Sequence, residues 1–214
     1  MDRDRQRSRK RLWPTWLACA LVAGAFAFAI GHLTVGLQHW TFEALRRDQA
    51  ARGGMRWPAM DLLDAAGRPM QLPAHGTGQV WLVDFIYTDC AAVCQSLGAA
   101  FYQAQQQIVS EGAGVRLLSV SIDPVRDTPA ALSAYARRHG ADARIWTLAA
   151  PVSVDEGRRS RRSLGVVAVA DGFGGFAHNG AIHVVDRHGR VVGIYDTADW
   201  MRALAQARAL EGDR

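Results

Sequence analysis

The sequence predicts an α/β fold. One domain of alternating strands and helices is built on a mainly parallel sheet, and a single N-terminal membrane-spanning helix precedes it. Three observations predict this. Residues 12–42 contain no Asp, Glu, Lys or Arg. Beyond them, apolar runs of strand length alternate with helix-length segments that carry recognisable caps. Two of those runs, QVWLVDFIYT (79–88) and VRLLSVSID (115–123), are largely apolar on both faces, as strands covered on both sides must be.

The uncharged stretch has an apolar core over residues 16–37, about the roughly 20 residues that cross a bilayer as a helix. Trp13, Trp16 and Trp40 stand at its ends, where amphipathic rings favour the membrane interface. The segment before it, MDRDRQRSRKR, carries six basic and two acidic groups. It is expected to stay in the cytoplasm while the remainder crosses to the periplasm. Ala25-Phe26-Ala27 resembles a signal-peptidase site, but the apolar run continues ten residues beyond it, which favours an uncleaved anchor in the inner membrane. The expected organisation is therefore a basic segment 1–11, an anchor 12–37, a juxtamembrane linker 38–56 and a folded domain 57–214.

Within the domain, AMDLLDAAGRPMQL (59–72) reads as a hairpin turning at AAGR. The strand over 79–88 leads into a helix over 90–110 that stops at Gly112. The second strand, 115–123, leads to a helix with Thr128 as N-cap, Pro129 in its first position and Gly140 just past its end. IWTLAA (145–150) is a third strand. SVDE (153–156) is a capping box for a helix that stops before Gly165. After the Gly-rich loop DGFGG come AIHVVD and VVGIYD, joined by a turn at Arg187-His188-Gly189, and a closing helix over 198–210. Strands alternating with helices imply a parallel sheet, and the last hairpin adds an antiparallel side. This is the element order of a thioredoxin-like fold with an N-terminal β-hairpin extension.

Net charge narrows the function. The whole chain is formally +5, with 25 basic and 20 acidic groups. Without the first eleven residues the balance is 19 against 18, or +1. A nearly neutral domain gives no reason to expect nucleic acid as a partner.

The chemistry concentrates in FIYTDCAAVCQSL, residues 85–97. Of three cysteines, Cys19 lies inside the anchor; Cys90 and Cys94 sit four apart at the carboxyl end of a buried strand. A helix beginning at Cys90 would put both sulfurs on one face and stabilise thiolate there, while Asp89 as N-cap opposes this with its own charge. In an oxidising compartment such a pair is a disulfide, a redox couple or a metal site. Stapling alone is a poor reason for so short a loop, because closing it gains little entropy. A metal would need a further ligand from His75, His139, His178, His183 or His188. His188 falls in a turn and His139 at a helix C-terminus, both expected to be solvated. His183 alternates with apolar strand residues, and His75 lies in a loop. His178 precedes the hairpin in a loop that this fold packs against the start of the first helix. Two thiolates and an imidazole suit Cu(I); a structural zinc site would want a fourth ligand.

Several segments together resemble the Sco/SenC family, membrane-anchored thioredoxin-fold proteins that serve cytochrome c oxidase assembly. The resemblance covers residues 57–210. AAGRPMQL is similar to the family's first hairpin, DFIYTDCAAVC to its strand and C-x-x-x-C, DPVRDTP (123–129) to its second signature, and HNGAIHVVDRHGRVVG to its histidine segment. Gln95 stands where the family usually has proline, and Ala177 precedes the histidine. The resemblance implies that Cys90, Cys94 and His178 bind copper, as Cu(I) or Cu(II). It implies a copper-binding chaperone for the dinuclear copper centre of oxidase subunit II, with another copper chaperone as a further partner. It equally admits a thiol-disulfide oxidoreductase in which Cys90 attacks and Cys94 resolves, or a redox or copper sensor. DPVRDTP is expected to shape the site edge or a partner surface.

Overall fold

The computed structural model describes residues 3–34, 41–72, 77–90, 93–172 and 175–212. The chain forms two compact units, Met1–Arg46 and Arg47–Arg214. The first contains helix α1 (Arg3–Leu33), which begins inside the basic segment; its stretch Trp13–Leu33 is long and apolar enough to cross a membrane. Helix α2 (Phe42–Ala51) straddles the division. The expected linker is thus partly helical, and it ends in a strand, β1 (Met55–Arg56).

The remaining elements follow the expected alternation. They are β2 (Met60–Asp64), β3 (Pro69–Leu72), β4 (Trp81–Ile86), α3 (Val93–Glu111), β5 (Arg116–Ser121), α4 (Pro129–His139), β6 (Trp146–Pro151) and α5 (Val154–Ser163). Then come β7 (Ala168–Ala170), β8 (Phe176–His178), β9 (Ile182–Val185), β10 (Arg190–Tyr195) and α6 (Trp200–Gly212). An eight-stranded sheet runs β1-β10-β9-β4-β5-β6-β2-β3. Its centre, β4-β5-β6, is parallel, and antiparallel strands extend both sides. The hairpin β2–β3 pairs with β6, while β1 covers β10, so the β9–β10 hairpin is not an outer edge. The short sheet β7–β8 was not expected, because its six residues sit among glycines and carry little strand pattern.

Local chemistry explains the element ends. Thr128 accepts the Ala131 N–H at 3.3 Å, Pro129 opens α4, and Gly140 closes it with φ 65°, a conformation that favours glycine. The expected capping box of α5 is only half formed. Ser153 accepts the Glu156 N–H at 3.2 Å, but the Glu156 carboxylate accepts the Asp61 N–H at 2.7 Å and so ties α5 to β2.

The strand β4 sets the layers. Successive side chains point to opposite faces of a sheet. Phe85 stacks on Trp57 at 6.0 Å and meets the His183 ring edge-on at 5.7 Å. Asp84 points the other way, in line with Ser119 across the β4–β5 ladder. Ser119 accepts the Trp146 indole N–H at 2.9 Å, and Trp146 packs on Phe101 of α3. The face carrying Asp84 is therefore the one that α3 covers, through its buried stripe Leu97, Phe101, Ala104 and Ile108.

Candidate metal and thiol site

The site begins where β4 ends. Tyr87, Thr88, Asp89 and Cys90 form a turn, and α3 is described from Val93. Cys90 itself is not helical, which corrects the expectation of a helix whose first residue is Cys90. The turn is held from outside at Thr88. Its N–H and hydroxyl both donate to Asp127 Oδ1, at 3.1 and 2.6 Å, and its carbonyl accepts Arg138 Nη2 at 2.8 Å. Cys90 lies in the turn, 6% exposed, and Cys94 lies in the first turn of α3.

The Asp123–Pro129 segment supplies that hold. Asp127 is almost fully buried, and its other oxygen accepts the Ser121 hydroxyl at 2.6 Å. Burial pushes its carboxyl up, while the hydrogen bonds from Ser121 and Thr88 oppose the shift. Arg126 pairs with Asp123 and stands 5.7 Å over the Phe176 ring. The segment thus holds the turn that carries Cys90.

Tyr87 carries the link to the histidine. Its ring meets Phe176 at 5.6 Å and His178 at 6.3 Å, both edge-on. Its hydroxyl accepts the Phe176 N–H at 3.3 Å and donates to the Phe176 carbonyl at 3.4 Å. Gly175 lets the strand approach Tyr87: a Cβ there would lie 2.8 Å from the Tyr87 hydroxyl and 2.6 Å from Asp171 Oδ2, and one of these side chains would have to move. His178 is thus not in a loop. It closes β8 opposite Ala168, and the adjacent Asn179 pins the ladder: its Oδ1 accepts the Val167 N–H at 2.7 Å and its Nδ2 donates to the Gly165 carbonyl at 3.1 Å. His178 is half-buried. Burial first, and then the neighbouring Arg161 charge, hold its imidazole below its ordinary pKa. That keeps the ring neutral near pH 7, the form that ligates metals.

The other histidines separate clearly. His183 is fully buried, with Nδ1 3.2 Å from the Val83 carbonyl, a core residue between strands. His188 is exposed in the β9–β10 turn. His139 is not solvated as expected. It is half-buried, its ring 4.3 Å from Tyr135 and close enough to Gly98 that a Cβ there would lie 2.4 Å from Nδ1. Burial and then Arg138 lower its pKa. His75 and the side chain of Cys94 lie outside the described residues. Among the described residues, no three His, Cys, Asp or Glu side chains group closely enough to hold a metal.

Tyr87, Asp127, Asn179 and Arg161 were not singled out from the sequence. Only Asp127 had a signal there, as part of DPVRDTP.

Comparison with known proteins is consistent with this layout. The SCO1/SenC family model matches residues 58–210. The SCO1 protein homolog of Bacillus subtilis is 27% identical over 121 residues, 56% of this chain and 63% of that protein, so the chain spans less than two thirds of it. The crystal structure of a SCO1/SenC family lipoprotein from Bacillus anthracis superposes with TM-score 0.68 at 21% identity, covering 73% of this chain and 95% of that one. ScoI of Bradyrhizobium japonicum, solved with copper bound, superposes with TM-score 0.59 at 23% identity, covering 73% and 99%. At such identities the structural likeness establishes the thioredoxin-like fold.

Proposed function

Because the chain belongs to the SCO1/SenC family, we propose that it is a membrane-anchored copper carrier that takes part in building the dinuclear copper centre of cytochrome c oxidase. Cys90, Cys94 and His178 hold the copper, and oxidase subunit II receives it. The apolar helix Trp13–Leu33 anchors the chain in the inner membrane, and the domain from about residue 57 works on the periplasmic side.

One observation carries the ligand assignment. Tyr87, three residues before Cys90, packs its ring on His178 and exchanges hydrogen bonds with Phe176. The cysteine turn and the histidine strand are thereby clamped to each other. Copper is the cargo. Two thiolates and one neutral imidazole give a Cu(I) complex of charge −1, and the guanidinium of Arg161 beside His178 offsets that charge. Three ligands leave a side of the ion open to an incoming thiolate, which exchange between sites requires.

A carrier of this kind uses the imidazole, whereas disulfide exchange uses only thiols. The test is Cu(I) titration of the reduced full chain in detergent against a chromophoric chelator. One equivalent is expected to bind tightly. Cys90→Ala, Cys94→Ala and His178→Ala should each weaken binding by at least about tenfold, or about 1.4 kcal/mol, while His188→Ala should not. Wild-type affinity in His178→Ala would refute the ligand set.

A further inference from the structure

We propose that the first turn of α2 is a second membrane contact, in which Phe42 and Leu45 dip into the lipid surface beside the anchor. The inference rests on the apolar helix Trp13–Leu33 spanning the bilayer, as assigned above.

The helix is graded along its outer face. Its buried positions are Arg46 and Ala50. Phe42, Leu45 and Gln49, with Arg52 just beyond the last turn, follow the i, i+3, i+7, i+10 spacing of one face and are exposed. Phe42 is 58% exposed and Leu45 40%. The face is therefore apolar at the end nearer the anchor and polar at the far end. Neither apolar residue is needed to start the helix. Thr41 does that, its hydroxyl accepting the Ala44 N–H at 3.1 Å. Polar or acidic residues at 42 and 45 would serve a water-facing first turn better.

Chain length selects the occupant of this face. The apolar core of the anchor runs to residue 37, which leaves four residues, 38–41, before Phe42. Even fully extended, they carry Phe42 no farther than about 17 Å from the hydrocarbon edge. The lipid headgroup layer itself fills roughly 5–8 Å of that span. Lipid is thus the apolar phase that the tether keeps beside Phe42 and Leu45 at all times.

Charge decides the mode of contact. Within Phe42–Ala51, Glu43 and Asp48 balance Arg46 and Arg47. The arginines are also engaged: Arg46 with Glu43 at 2.8 Å, Arg47 with Asp196 at 2.5 Å, and Arg52 with Asp48 at 2.9 Å. The contact is apolar, and neutral lipid suffices for it, unlike the contact of a basic interfacial helix.

The far end of α2 is fastened to the folded domain. Ala50 belongs to its core, and Arg47 grips Asp196 just ahead of α6. With its first turn in lipid, α2 acts as a stiff strut in place of a loose tether. The domain then ranges over a smaller volume above the surface, which raises its effective concentration toward an acceptor in the same membrane.

The test uses the full chain in phosphatidylcholine nanodiscs. A small fluorescent amino acid replaces Val22, Phe42, Leu45, Gln49 or Arg137, one at a time, and doxyl-labelled lipid is the quencher. Val22 lies in the spanning stretch, and Arg137 is exposed in the last turn of α4. Quenching at 42 and 45 should exceed that at 137 at least about threefold, with 49 between them. Added anionic phosphatidylglycerol should leave these ratios unchanged. Quenching at 22 without any excess at 42 and 45 would overturn the proposal while the anchor stands. No quenching at 22 would remove the anchor and the proposal together. Quenching at 42 and 45 that appears only with phosphatidylglycerol would overturn the apolar contact. A photoreactive benzoylphenylalanine at 42 should cross-link to lipid; cross-links to a second copy of the chain, without lipid adducts, would overturn the proposal. Discs that bind no copper while 42 and 45 are quenched would remove the carrier reading and leave this one standing.

Discussion

The Asp127 carboxylate accepts both the N–H and the hydroxyl of Thr88, at 3.1 and 2.6 Å, and so fixes the turn that ends in Cys90. With Ser121, three donors converge on this one buried group. The relationship explains why the Asp123–Pro129 segment belongs with the Cys90 turn although Asp123 lies 33 positions further along the chain.

Asp127→Ala should therefore cost stability and loosen the site together. It leaves three donors unpaired, and a loss of about 2–4 kcal/mol is expected. Urea unfolding of the full chain in detergent measures the stability, and Cu(I) competition measures the affinity, which should fall. Asp127→Asn retains one acceptor oxygen and should lose less of both.

Tyr87→Ala removes the clamp between the cysteine turn and β8. Copper affinity should drop by at least about tenfold, or about 1.4 kcal/mol, with Cys90, Cys94 and His178 all intact. Tyr87→Phe keeps the ring contacts with Phe176 and His178 and should fall between wild type and Tyr87→Ala. Equal affinity for all three proteins in chelator competition would show that the clamp does not position the ligand.

Asp84 sets an unusual pH dependence of stability. Its folded pKa of about 7 lies above the ordinary 3.8, so the folded state holds the extra proton between those values. Stability must then fall as pH rises through that window, by about 4 kcal/mol in all. Asp64 and Asp186 act in the opposite sense. Burial pushes their carboxyls up, but the hydrogen bonds they accept from Arg68 and Arg190 and from neighbouring backbone N–H groups outweigh it and hold both below 3.8, so their contribution is lost as pH falls through 3.8 toward the lower folded values. Asp84→Asn should remove this falling component from denaturant titrations between about pH 4 and 7, while the lowered pKa values of His139 and His178 add stability as pH rises toward 6.5.

The basic head and the apolar helix predict topology. A phosphatase fused to the C-terminus, which acts only after export, should be active. An inactive fusion from a stably expressed chain would place the domain on the other side.

Much of this was legible in the sequence, for physical reasons. The β4 and β5 runs are apolar on both faces because the sheet is covered on both faces, and Thr128, Pro129 and Gly140 mark α4 because caps and left-handed glycines have sharp residue preferences. The hold on Thr88 was not legible, because it comes from Asp127 and Arg138, far along the chain. The strand character of His178 was hidden because β7 and β8 have only three residues each and are fastened by Asn179. His139 read as solvated because its packing on Gly98 joins two helices that no local pattern connects. Asp84 was passed over because a lone Asp in an apolar strand has no periodic signature; its significance appears only with its burial.

The central claim is that the imidazole of His178 completes a copper site used for delivery. The most direct measurement compares two activities of purified His178→Ala with wild type: transfer of Cu(I) to an apo acceptor bearing the oxidase dinuclear copper motif, and disulfide exchange at Cys90 and Cys94. The account predicts that transfer is lost while exchange remains measurable. A variant that loads the acceptor as fast as wild type would contradict it and leave thiol-disulfide exchange as the function of the site.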